Sequence, residues 1–182
     1  MGSKMRLIDL TRYFNDTLVF NEPPSYETAA EKEWIVCDKV DFMKDASEEF
    51  KSVYGSHSGA DNVICGGQSV FVGDKINGIV FYGFSSAEAV MEHATVRFYG
   101  GKTEKVKITL LGCDQKGLCA APSETLFKGV SCARVLATKR RDGLPFYAYK
   151  CESFICGKDV VETITLPDNM FLHLFAIETK KS

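Results

Sequence analysis

The residues that could do chemistry are few and scattered. His57 lies in SHSGAD with Ser56, Ser58 and Asp61 close by, and a small hydrolase or lyase using His57 with Asp61 is one reading of that run. Catalytic groups are assembled from distant segments by geometry, so neighbours on one loop have no built-in alignment, and no catalytic set is assigned. His93 stands beside Thr95, and His173 alternates with Leu172 and Leu174, which is the pattern of satisfied sheet residues. The carboxylate pairs Glu31/Glu33 and Glu48/Glu49 fall in charged stretches. Glycosidic acid-base work needs two carboxyls facing each other across a cleft, which adjacency does not produce. Cys65-Gly66-Gly67 is followed by neither a Walker lysine nor a helix-opening glycine pattern, and reads as a turn.

Seven cysteines (37, 65, 113, 119, 132, 151 and 156) are an odd number, and MGSKMRLIDL has no apolar leader. Reduced thiols in a cytoplasm are therefore expected rather than a disulfide framework. Cys113, Cys119, Cys151 and Cys156 are spaced by five and four intervening residues, without the tight repeat of structural zinc ligands. No metal and no cofactor is expected. The 22 basic and 24 acidic residues give a net charge of -2 with no long run of either sign, so nucleic acid is not an expected partner. No stretch approaches the roughly 20 apolar residues of a membrane helix, and no membrane partner is expected.

Aromatic side chains are the remaining signal, because sugars stack their C–H faces on flat rings while polar side chains fix the hydroxyls. Tyr13, Tyr26, Tyr82, Tyr147 and Tyr149 are placed where they could do so. In the run from Lys139 to Lys150, Tyr147 and Tyr149 share one strand face and Phe146 and Ala148 the other, with Arg140 and Arg141 at the neighbouring turn. Tyr147, Tyr149, Arg140 and Arg141 are the candidate ligand site. The alternative is that the tyrosine face is core and the arginines are solvated.

Strands must carry these groups. His93 to Phe98 and Lys105 to Leu110 alternate apolar and polar residues around Tyr99-Gly100-Gly101-Lys102, which is a hairpin. Further strands are expected near 61–64, 68–72, 77–83, 92–99 and 104–111, spaced as in a sandwich or barrel. Short strands are expected at Arg6–Leu10 and Thr17–Phe20, another over Trp34–Phe42, and a turn over Thr11–Asp16. Ser131–Thr138 and Phe146–Phe154 flank Arg141–Pro145, and Val160–Leu166 and Met170–Thr179 flank Pro167-Asp168-Asn169 as a terminal hairpin. Met43 to Tyr54 is the one stretch with helical spacing, and Gly112 to Val130 is a long irregular insertion. The expected fold is an all-β, two-sheet antiparallel β-sandwich, jelly-roll-like, in one domain over residues 5–180. Met1–Lys4 are expected to be a disordered N-terminus or an expression remnant.

IDLTRYFND, DNVICGGQSVFVGDKINGIVFYGFSS, VRFYGGKTEKVKITLLG and ETITLPDNMFLHLFAIET, spread from Arg6 to Glu178, resemble the β-sandwich modules appended to bacterial glycoside hydrolases. The resemblance implies a non-catalytic carbohydrate-binding or accessory module with a glycan or sugar as partner. Two features depart from it: no Trp-containing run follows Gly112, and the cysteine content is unlike an exported module. A self-associating protein that buries a sheet face, as a homodimer for example, is the third expectation.

Overall fold

The computed structural model of the chain describes residues 5–20, 35–36, 59–113, 130–133, 139–140 and 147–181. The strands are β1 (Met5–Ile8), β2 (Val19–Phe20), β3 (Ile35–Val36), β4 (Val63–Gly66), β5 (Ser69–Asp74), β6 (Ile76–Ser85) and β7 (Val90–Phe98). They continue as β8 (Thr103–Leu110), β9 (Val130–Ala133), β10 (Lys139–Arg140), β11 (Ala148–Phe154), β12 (Val161–Thr165) and β13 (Asp168–Lys181). A single 3-10 turn covers Thr11–Tyr13, where the sequence predicts a turn. The expected helix over 43–54 and most of the insertion after Gly112 lie outside the described residues, as does the remainder of the strand expected over 34–42.

The innermost pair is the hairpin of β7 and β8, with Arg97 opposite Thr103. Its turn needs Gly100 and Gly101, at φ 96° and 88°, which residues with a Cβ rarely adopt. Around it the chain pairs in nested order, β6 with β11, β5 with β12 and β4 with β13, all antiparallel. Successive pairs fall in alternate sheets, so the doubled chain wraps into a jelly roll. One sheet runs β1-β13-β6-β11-β9, with β4 also on β13, and the other runs β5-β12-β7-β8. The two-residue strands β10, β3 and β2 make a small third sheet.

The expected terminal hairpin is corrected here. β12 pairs with β5 and β7 in the four-stranded sheet, whereas β13 pairs with β6, β1 and β4 in the other. Pro167 marks the crossing between sheets. It has no N–H to give to a ladder, and its carbonyl accepts the Gly67 N–H at 3.2 Å. The expected pair over 131–138 and 146–154 is present as β9 with β11, with Ala133 opposite Ala148 and β10 within the connection between them, while the turn expected over 141–145 lies outside the described residues.

The sheets pack through Ile8, Val63, Ile79, Phe81, Leu172, Leu174 and Ile177 on one side and Val70, Val72, Val96, Val106, Ile108, Val161 and Ile164 on the other. Side chains engage backbone groups on both edges of the four-stranded sheet. Arg6 and Tyr13 donate to the carbonyls of Val72 and Ser69 on β5, at 3.3 and 2.8 Å. On β8, Ser153 donates to the Lys107 carbonyl, and the Thr109 N–H reaches the Cys151 sulfur at 3.4 Å. Edge groups satisfied in this way offer little to a further strand.

Candidate functional site

The expected tyrosine site divides. Tyr149 is 1% exposed, and its hydroxyl donates to the Gly112 carbonyl at 3.0 Å inside the core. A ring with no free face cannot stack on a sugar, so Tyr149 holds the fold, as the alternative reading had it. The cause is visible along β11, where Tyr149, Cys151 and Ser153 are buried and Lys150 and Glu152 are only half-buried. Tyr147 is half-buried against the same core. Arg140 belongs to β10 and pairs with Ile35, and Arg141 and His57 lie outside the described residues. Asp61, the expected partner of His57, is buried, and its carboxylate accepts the Leu18 N–H and the Asn62 amide, both at 3.0 Å. Tyr82 is also buried, Tyr13 is tied to Ser69, and Tyr26 lies outside the described residues.

The face of the six-stranded sheet turned away from the core carries polar groups that are largely out of water. The register places Val80, Tyr82 and Phe84 of β6 on this face with His173, Ala176 and Glu178 of β13. Lys180 passes over Gly78, its Cδ 3.5 Å from where a glycine Cβ would stand, and pairs with Glu152. Tyr82 donates to Glu178 Oε2 at 2.7 Å, while Glu178, 2% exposed, has Oε1 without a hydrogen-bond partner.

His173 is the centre of a third group. Asn62 Nδ2 donates toward Asp61 and Asp16, which turns Asn62 Oδ1 to His173 Nδ1 at 3.0 Å. Nδ1 therefore carries the proton of a neutral imidazole. Phe84 stacks on the ring with centroids 4.5 Å apart. Burial pushes the His173 pKa down to about 4, and the Asp16 carboxylate 3.7 Å away offsets part of that shift. β13 comes this close because Gly83 has no side chain: a Cβ there would lie 2.0 Å from the His173 carbonyl oxygen. The arrangement ties β4 and the segment before β2 to β13.

The outer face of the four-stranded sheet is wet. The register sets Phe71, Thr163, Arg97 and Thr103 in one row across the strands, and Ser69, Thr165, Thr95 and Lys105 in the next. Ser69 and Thr165 share a hydrogen bond of 2.8 Å. Phe71 is 55% exposed, and its ring rests over Gly73, where a Cβ would meet Cζ at 2.7 Å. Gly73 has φ 65°, so the glycine serves both the backbone and the ring. A flat ring beside rows of hydroxyls can take the apolar face of a sugar and bond its edges. Sequence reasoning passed over Phe71 because its alternation resembles that of any core phenylalanine. The signal available was the glycine two residues later, on the same face.

Among the described residues, Cys65, Cys113 and Cys151 are buried cysteines outside any disulfide, and Cys156 is an exposed one. Burial raises Cys65 to about 12 and Cys151 above its ordinary value, which keeps both protonated and unreactive. Among the described residues no helix is long and apolar enough to cross a membrane. No protein-family model matches the chain, and no curated protein matches it significantly.

Proposed function

We propose that the chain is a non-catalytic carbohydrate-binding or accessory module, with its sugar on the outer face of the four-stranded sheet. The observation that carries the reading is the Phe71 ring lying over Gly73, half in solvent, beside Thr163, Thr165, Ser69 and Thr95. An exposed phenylalanine alone is ordinary on a protein surface. A ring seated on a glycine and bordered by hydroxyl rows has the mixed apolar and polar character that sugars require. The resemblance to glycoside hydrolase accessory modules supports the same reading. The free thiols support a reducing, cytoplasmic location as part of it.

A glycan array probed with the whole chain tests this. Binding to one or more glycans, lost in Phe71→Ala, is the expected result. An empty array together with a mass that grows with concentration in light scattering would replace it with self-association. Turnover of a glycan that disappears in His57→Ala would instead make the protein an enzyme.

A further inference from the structure

Charge is unevenly distributed on this same face. His93 stands opposite Lys107, Thr95 opposite Lys105 and Arg97 opposite Thr103. The Arg97 guanidinium meets Glu162 at 3.1 Å. Lys105 and Lys107 are exposed, and neither has a carboxylate partner among the described residues. Alternate residues recur about every 7 Å along a strand, and opposed ones lie about 5 Å apart. Two unpaired lysines, the Arg97–Glu162 ion pair and an imidazole therefore occupy a strip about 14 Å long and one strand spacing wide. The whole chain has a net charge of -2, so the strip runs against the average.

Lysines on an edge strand commonly guard against pairing with another chain. Part of that edge of β8 is already engaged, because Ser153 and Cys151 meet the Lys107 carbonyl and the Thr109 N–H, and beside them the Glu104 carboxylate accepts the N–H groups of Cys156 and Gly157 at 2.9 and 3.0 Å. The guard role explains the two lysines only in part, and a neutral sugar would use them as hydrogen-bond donors while leaving their charge unmatched.

We infer that this face binds an acidic polysaccharide, a linear chain carrying uronate carboxylates or sulfates. Lys105 and Lys107 meet its anions, and the threonine and serine hydroxyls bond its sugar hydroxyls. The inference rests on the carbohydrate reading and adds the charge of the ligand. A glycan fits better than single-stranded nucleic acid, because binding successive bases takes several stacking rings and the strip has the His93 imidazole alone among its charges.

The test is the mobility of the whole chain in native gels containing polygalacturonate, heparin or the neutral hydroxyethylcellulose. Strong retardation by polygalacturonate or heparin is expected at low salt; retardation by polygalacturonate shows that carboxylates suffice, and retardation by heparin alone points to sulfate. The double variants Lys105→Glu/Lys107→Glu and Lys105→Gln/Lys107→Gln are expected to abolish it, while Lys158→Glu, in the loop after β11, leaves it intact. Retardation by hydroxyethylcellulose alone, or retardation indifferent to both double variants, overturns the acidic ligand and leaves a carbohydrate module standing. No retardation in any gel, with an empty glycan array, removes both readings. Competition by single-stranded DNA at equal mass would overturn the glycan in favour of a general polyanion surface.

Discussion

The two outer faces of the sandwich treat polar side chains in opposite ways. On the four-stranded sheet, the Phe71 ring at one edge and Lys105 and Lys107 at the other are exposed, with Thr163 and Thr165 half-buried on the strand beside Phe71. On the six-stranded sheet, Glu178, His173 and Asn62 are buried among Phe84, Val80 and Ala176, each held by a specific partner. Groups in water are free to exchange it for a ligand at small cost. Groups already desolvated are committed to one another, and losing a partner leaves a buried polar atom unmatched. The difference predicts that stability resides on one sheet and binding on the other.

The largest effect expected belongs to the core under the six-stranded sheet. Tyr149→Ala removes a fully buried ring and the hydrogen bond to Gly112, and a loss of about 3 to 5 kcal/mol is expected in urea unfolding. A loss under about 1 kcal/mol would mean that the ring is accessible, and would return Tyr149 to the list of ligand residues.

Acid should act on the six-stranded sheet next. His173 is neutral in the folded state with a pKa near 4, against 6.5 for the free side chain, so the unfolded chain takes up the proton first. Stability is complete above about pH 6.5 and is lost as the pH falls toward 4, by roughly 3 kcal/mol in all. Urea midpoints measured between pH 7 and 4 should show this slope in the wild type and a flatter one in His173→Gln. Equal slopes in both would place the acid response elsewhere.

These positions differ in how well the sequence disclosed them. The β7–β8 hairpin was legible because its alternation and its glycine turn are local, and its place as the innermost pair follows from the nested order of the rest. The change of sheet at Pro167 was not, since an alternating run does not say which neighbour it will pair with. The run from Lys139 to Lys150 leaves open whether the face of Tyr147 and Tyr149 is a ligand site or core. Extended to Phe154, the same run puts Lys150 and Glu152 opposite the tyrosines and marks the tyrosine face as core. The His173 group joins Asp16, Asn62 and His173 from three parts of the chain, so no spacing rule connects them. His173 was nonetheless expected to be a satisfied sheet residue, and its bond to Asn62 makes it one.

A smaller change sharpens the comparison on the dry face. Tyr82→Phe keeps the ring and removes the hydroxyl that Glu178 Oε2 accepts, leaving a buried carboxyl whose other oxygen already lacks a partner. A loss of about 1 to 3 kcal/mol is expected. Restoring stability in the double variant Tyr82→Phe/Glu178→Leu would show that the unmatched carboxyl, rather than altered packing, was the cause.

The smallest change in stability should accompany the largest change in binding. Phe71 is more than half exposed and its ring lies over Gly73, so Phe71→Ala removes little buried surface and should move the unfolding free energy by no more than about 0.5 kcal/mol. The ring has a second role open to it, since an aromatic side chain laid over a strand glycine also shields the backbone there. The two roles separate because they predict different readouts from the same variant. If the ring is a platform for sugar, glycan binding falls at least tenfold while the melting temperature stays put. If it is a cover for Gly73, the melting temperature drops and retention of glycan is unchanged. Phe71→Trp distinguishes them again: a broader flat surface should preserve or tighten binding, although it improves nothing for the glycine beneath it.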